Sequence, residues 1–478
     1  MLRLSALLLV GAFAGGRYVA THATVITPHL ASVMEDVHVT PAPETAAGEL
    51  PGEGAPQRAL RNVRDLVTAV RGLPAVVCAL TAEAAAGWGG RSWMNAPSPP
   101  LGAETAERVA NFPRGRLTLG DVALLIDSLS TPDACVREVA VRLLGRMEAP
   151  VVEERLIERL TAGTPVATRQ AAALTLGLVE SKGAIDPLVR LVGDDETGVR
   201  ANAVWALGRI GEKRVVPSLR RTLADEEELV RGAAAGALGA LEDADSVDEL
   251  LRVLRTDRSP RVRRTAAWAL GTMELRAAGS GLVAALRAEQ EPEVREMIVW
   301  ALGSIEDPSA VAALTEVMRR DASEDVREGA AWALGTIEDA DAASALGEAV
   351  AGDARAEVRA TAAWALGQLE LSAAPAGLIK GATDADPDVR TSAAWALSEI
   401  GDARALDALR TAMKRETHSK ARRAQLRAIL KGGERSEQFF KELLTSEDAE
   451  VREAAVRGMA GRGMNPWPWP MPRPRPFP

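Results

Sequence analysis

Apolar positions three and four residues apart recur through most of the chain, the spacing that lines one face of an α-helix. Val247, Leu250, Leu251 and Leu254 mark one such helix, and Val311, Leu314 and Val317 another. Between them lies a second kind of helix, announced by Ser259-Pro260, Glu291-Pro292 and Asp386-Pro387. A polar residue there can occupy the cap, and Pro suits a first turn whose N–H has no partner.

The second kind of helix repeats. Aligned on one arginine, it gives Arg137, Arg169, Arg200, Arg231, Arg263, Arg295, Arg327, Arg359, Arg390, Arg422 and Arg452, at spacings of 30 to 32 residues. Five residues after the arginine stands Trp205, Trp268, Trp300, Trp332, Trp364 or Trp395, and eight after it a glycine such as Gly177, Gly271, Gly303 or Gly335. Neither helix of a unit can bury its apolar face alone, so the hairpins must stack side by side. The predicted fold is all-α: a right-handed α-α superhelix of about eleven helical hairpins over residues 118–462.

The unit Val-Arg-x-x-Ala-Ala-x-Ala-Leu-Gly, closing on Ile-Glu-Asp, resembles the HEAT repeat, in particular the short bacterial type named after phycobilisome lyases. The resemblance implies structural roles for the repeat arginines, Arg200, Arg263, Arg295, Arg327, Arg359 and Arg390 among them. They are expected to bond acidic residues along the stack, while turn residues such as Asp307, Asp339 and Asp386 cap helices. Relatives of this kind include scaffolds, bilin-attachment proteins and an iron-dependent hydroxylase with His-Glu motifs.

The flanks differ from the repeat. Residues 1–23 carry Arg3 and a short apolar run from Leu4 to Ala14, the pattern of a signal peptide removed on export to a periplasmic or extracellular space. The run is too short to span a bilayer, for which roughly 20 residues are needed, so no membrane span remains after signal removal. Residues 24–57 read as a disordered Pro/Gly/Ala-rich linker and residues 58–117 as an N-terminal helical cap and loop. Residues 463–478 alternate Pro with Trp, Met, Arg and Phe. That tail is expected in polyproline II form, which docks in aromatic-lined grooves of another copy or a partner.

Composition narrows the function. The chain has 57 Lys+Arg against 66 Asp+Glu, a formal charge of -9, which disfavours nucleic acid. The basic run Arg252, Arg255, Arg258, Arg261, Arg263 and Arg264 reads as a solvated ridge. None of the four histidines is followed by Glu, which removes the hydroxylase-like metal site, and no nucleophile elbow or phosphate loop is present. No cofactor is implied, and the protein is read as non-enzymatic. Cys78 and Cys135 could form one disulfide or remain two buried thiols.

The tryptophans are the candidate binding residues. At 100° per residue, the position five after the arginine points about 120° from the core stripe, so Trp205, Trp268, Trp300, Trp332, Trp364 and Trp395 should be partly exposed on a concave inner surface. Glu296 and Glu328 lie one turn below Trp300 and Trp332. An acidic, Trp-lined groove suits a protein or extended peptide with basic or Pro residues, because indole faces attract cations and stack on proline. Two alternatives are a lyase-type protein binding a tetrapyrrole and a purely structural spacer.

Overall fold

The computed structural model describes residues 118–434 and 436–459. The signal, linker, cap and Pro-rich tail read from the sequence, and Cys78, lie outside the described residues. Among the described residues there are twenty-two α-helices and no strand. They pair as α1–α2 (Leu119–Ser128, Ala134–Leu144), α3–α4 (Ala149–Ile157, Val166–Leu178), α5–α6 (Ile185–Leu191, Thr197–Ile210) and α7–α8 (Val216–Thr222, Glu228–Ala240). The series continues with α9–α10 (Val247–Thr256, Pro260–Thr272), α11–α12 (Gly279–Ala288, Pro292–Ile305), α13–α14 (Val311–Arg320, Glu324–Ile337) and α15–α16 (Ala343–Gly352, Ala356–Gln368). It ends with α17–α18 (Ala376–Gly381, Pro387–Ile400), α19–α20 (Leu406–Arg415, Ser419–Lys431) and α21–α22 (Glu437–Leu444, Ala449–Met459). Every even-numbered helix carries one repeat arginine.

Helix starts follow the sequence only in part. Asp386 accepts hydrogen bonds from the backbone N–H groups of Asp388 and Val389 and so caps α18. Ser259 and Glu291 precede Pro at the starts of α10 and α12 but make no side-chain cap bond. From α4 to α20 the even helices stop where the backbone turns left-handed. Gly211 and Gly401 supply that turn at φ +79° and +72°, as expected of a residue without a Cβ. In six other repeats glutamate does so: Glu180, Glu242, Glu274, Glu306, Glu338 and Glu370, with φ between +47° and +58°. Asp307 and Asp339 then cap the short 3₁₀ turns that lead into α13 and α15.

Packing is between layers and along them. From α4 to α20 each even helix lies against the even helices before and after it, while consecutive odd helices meet over fewer residues. The tighter spacing makes the even row the inner layer. Its Ala and Leu positions are fully buried, as at Ala330, Ala331, Ala333 and Leu334 of α14, because small residues let backbones approach. The glycine eight residues after the arginine is part of this contact. A Cβ on Gly303 would lie 2.7 Å from Cζ3 of Trp332 and 3.0 Å from Cα of Ala333, both in the next repeat.

One edge of the stack is held by ion pairs. Arg327 donates from Nε and Nη2 to the two carboxylate oxygens of Asp353, at 2.8 and 3.1 Å, and from Nη1 to the Asp321 carbonyl at 3.0 Å. Seven other two-bond pairs join Arg169 to Asp194, Arg200 to Asp225, Arg231 to Asp257, Arg263 to Glu289, Arg295 to Asp321, Arg359 to Asp384 and Arg390 to Glu416. The acid belongs to the turn inside the following hairpin, 25 or 26 residues after its arginine. The same carboxylate accepts the N–H of the residue two positions on, as Asp353 does from Arg355. Burial alone would raise the Asp353 carboxyl, but bonds from Arg327 and the Arg355 amide hold it below its ordinary range. Asp307 and Asp339 have no part in this ladder.

Candidate functional site

The structure corrects the tryptophan reading. Trp205, Trp268, Trp364 and Trp395 are sealed, with 2%, 5%, 8% and 9% of their surface exposed. A single buried stripe per helix does not describe this stack. An even helix in the middle of the stack instead has neighbours on three sides, its odd partner and two even helices, and position five faces the preceding repeat. Five of the six indoles, those of Trp205, Trp300, Trp332, Trp364 and Trp395, lie on the glycines Gly177, Gly271, Gly303, Gly335 and Gly367 of that repeat. The pairing of Trp at one position with Gly at another is therefore a packing device, a flat ring set on a residue without a side chain.

Two tryptophans differ. Trp300 on α12 and Trp332 on α14 are only half-buried. Among the six Trp-bearing helices, theirs are also the two with Glu one residue after the repeat arginine: Glu296 and Glu328, both half-buried and one turn from the indoles. Glu293 and Asp325, in the first turns of the same helices, are exposed beside them. Thr361 of α16 donates from its hydroxyl to Glu328 Oε1 at 3.3 Å. Burial first, and then the neighbouring carboxylate of Asp325, pushes the Glu296 carboxyl up to about 7, against partial relief from Arg264 on α10. At Glu296 the inner row thus holds a half-buried acid whose charge Arg264 offsets only in part.

The other predicted residues are dispersed. Arg200, Arg263, Arg295, Arg327, Arg359 and Arg390 are in the ion-pair edge and unavailable to a ligand. The basic run is broken up: Arg263 pairs with Glu289, and Arg258 donates to the Glu226 carbonyl of the preceding repeat. Cys135 is buried in the first turn of α2, and the choice between a bridge to Cys78 and two buried thiols falls outside the described residues. Among the described residues, no group of three His, Cys, Asp or Glu is placed to hold a metal ion, and no helix is long and apolar enough to cross a membrane. What the sequence reading missed is the acid of each ion pair. Its signal was a carboxylate at a constant 25 or 26 residues after the repeat arginines from Arg169 to Arg390.

Known proteins place this architecture. The family model for HEAT repeats matches residues 122–199, 153–239, 190–271, 221–289, 279–367 and 345–430. The chain belongs to the HEAT-repeat family. Its fold is the right-handed α-α superhelix of that family. It is similar to importin beta crystallised in an ammonium sulfate condition, at 14% identity and a TM-score of 0.52, covering 83% of this chain and 62% of that one. The Kap95p structure that describes Kap95p binding to RanGDP matches at 14% identity and a TM-score of 0.51, covering 83% and 59%. The Kap95:Nup1 complex matches at 13% and 0.51, covering 83% and 61%. The chain thus spans about three fifths of the length of these HEAT proteins, and at such identity the likeness is one of fold. No curated protein matches the sequence significantly.

Proposed function

We propose that this HEAT protein is a non-catalytic scaffold that holds an extended basic segment of a partner protein across α10 to α16. Trp300 and Trp332 would serve as stacking platforms, and Glu293, Glu296, Asp325 and Glu328 would meet Arg or Lys of the segment. The supporting observation is a coincidence of position. The two tryptophans left half-open are those with a half-buried glutamate one turn away, and of the two carboxyls that of Glu296 is raised by burial. A bound cation would lower the Glu296 carboxyl and gain from charge pairing in a partly desolvated groove. The solved HEAT proteins that bind RanGDP and Nup1 agree in class with a protein-binding role.

The sealed tryptophans favour the spacer reading for their own repeats, so the test compares the two sets. A peptide of alternating Pro and Arg is titrated into the full chain by calorimetry at low salt. Trp300→Ala with Trp332→Ala should weaken binding roughly tenfold or more, and Glu296→Gln with Glu328→Gln should flatten its salt dependence. Binding absent at millimolar peptide, or untouched by both pairs, rejects the groove and leaves a spacer. We also propose that residues 1–23 direct export; fractionation of the native host, with the protein found only in the cytoplasm, would reject that.

A further inference from the structure

The last hairpin ends the described stack without a neighbour. In the ten repeats before it, the position four residues after the arginine is buried, from Val141 to Leu426, and so is the position seven after it, from Leu144 to Ile429. At the first of these positions the next hairpin lies directly alongside: a Cβ on Gly329 of α14 would stand 3.4 Å from Cγ1 of Val299 on α12. In α22 the same two positions are Val456 and Met459, 56% and 57% exposed. Eight residues before the arginine, where Arg319 of the seventh hairpin reaches across to Glu348 of the eighth, the last hairpin has Leu444, 37% exposed. Three of the five exposed large apolar side chains among the described residues therefore lie on one end face.

Solenoid ends normally carry polar residues at such positions, and here none of the three is polar. Three part-exposed side chains form a patch of a few hundred Å² at most, far short of the roughly 800 Å² per partner that a stable protein interface needs. The patch fits a strap better than a second folded protein. Nineteen residues follow Met459, and their apolar side chains are bulky: Met464, Trp467, Trp469, Met471 and Phe477, with Pro at 466, 468, 470, 472, 474, 476 and 478. Such a segment cannot add a helix, but in polyproline II form it loses little entropy on docking. At roughly 3.1 Å per residue, Trp467 reaches up to about 25 Å from Met459, more than the roughly 16 Å length of the eleven-residue α22. The sealed indoles of the inner row offer no continuous aromatic groove for it.

We propose that the Pro-rich tail folds back over the exposed end face of α21 and α22 of its own chain, with Trp467, Trp469 and Met471 covering Val456, Met459 and Leu444. The tail then does for the last hairpin what each hairpin does for the one before it.

The test is hydrogen exchange on the full chain and on the full chain with Trp467→Ser, Trp469→Ser and Met471→Ser, a variant that leaves every described residue intact. Amide exchange in α21 and α22 should accelerate roughly tenfold or more while α10 to α16 stay unchanged. Equal rates in both chains overturn the proposal. In a second measurement 5-fluorotryptophan is incorporated, and the ¹⁹F signals of Trp467 and Trp469 are assigned by Trp467→Phe and Trp469→Phe. They should stand away from the position of a solvated indole and return to it in Met459→Ser. Signals already at the solvated position overturn the idea. So does protection in α21 and α22 that is lost on dilution, because the strap would then come from another copy. A shift removed by Trp300→Ala rather than by Met459→Ser would place the tail in the inner groove and also overturn it.

Discussion

Replacing Gly303 by Ala should destabilise the protein although Gly303 sits inside helix α12. In an exposed helix interior, Gly→Ala gains about 1 kcal/mol, from backbone entropy lost less severely on folding. At Gly303 the new Cβ would stand 2.7 Å from the Trp332 ring and 3.0 Å from both Cα and Cβ of Ala333. The Ala333 backbone is fixed by α14 and can give only a few tenths of an ångström. Relief must come from tilting an indole packed between two helices, an overpacking cost of about 1–3 kcal/mol. The net expectation is a loss of about 1–2 kcal/mol. Gly232, inside α8, is the matched control, since a Cβ there meets nothing within 4 Å, and Gly232→Ala should gain up to about 1 kcal/mol. Native-state hydrogen exchange is the suitable assay, because a long repeat array need not unfold as one unit. Opening free energies are compared in α12 and α14 for Gly303→Ala and in α8 for Gly232→Ala. Adding Trp332→Leu to Gly303→Ala should recover part of the loss, with a coupling of at least about 1 kcal/mol between the two sites. Equal stabilisation by both glycine substitutions, or no coupling to Trp332, would refute the ring-on-glycine packing.

Asp353→Asn keeps the shape of the turn but leaves Arg327 without a charge partner where only 14% of the Arg327 side chain is exposed. It should cost on the order of 2 kcal/mol in the local opening of α14 and α16. Glu306→Gly removes a non-glycine residue from φ +53° and a carboxylate whose pKa is raised by burial and by the charge of Glu274; it should gain about 1 kcal/mol in thermal or denaturant stability. The acids of the ladder with depressed pKa, Asp257, Glu289, Asp353, Asp384 and Glu416, bind fewer protons folded than unfolded at low pH. Their stabilisation is complete above the ordinary carboxylate range and lost as pH falls through and below about 4, which an acid titration of helicity should show. Glu296 has the opposite sign: its folded pKa, about 7, lies above the unfolded value, so its ionisation costs stability as pH rises from the ordinary range to about 7. Glu296→Gln should therefore be more stable than the natural chain at pH 8, with the gain gone at pH 4.

The period of the arginines, the paired helices and the stack were legible because each is a local pattern copied along the chain. Apolar spacing as in Val247, Leu250, Leu251 and Leu254 names a helix, and repetition of a face that cannot be buried alone names the solenoid. The direction of Trp205 or Trp395 was not legible, since the helical angle says which way a side chain points and not what stands there. In a layered stack that direction holds another repeat. The fixed interval from each arginine to its acid was present in the sequence but is a relation between hairpins, invisible to a search within one. Glutamate at a left-handed helix end, as at Glu274, runs against residue preference, and no propensity argument predicts it. The acids near Trp300 and Trp332 were found, because one turn of a helix is a distance that sequence spacing does give.

The ion-pair edge has a consequence for the history of the array. From Arg169 to Arg390, each repeat presents an arginine paired with the acid of the next unit, and each unit from the next on presents an acid that accepts the arginine of the one before. The cut ends of any whole unit are thus complementary to those of every other. Duplicating or deleting one complete unit of 31 or 32 residues leaves no half-buried guanidinium or carboxylate stranded, whereas a partial one strands two. Selection can lengthen or shorten such a protein in whole steps at little thermodynamic risk. Genes of this kind are expected to differ in copy number far more readily than in the length of any single unit.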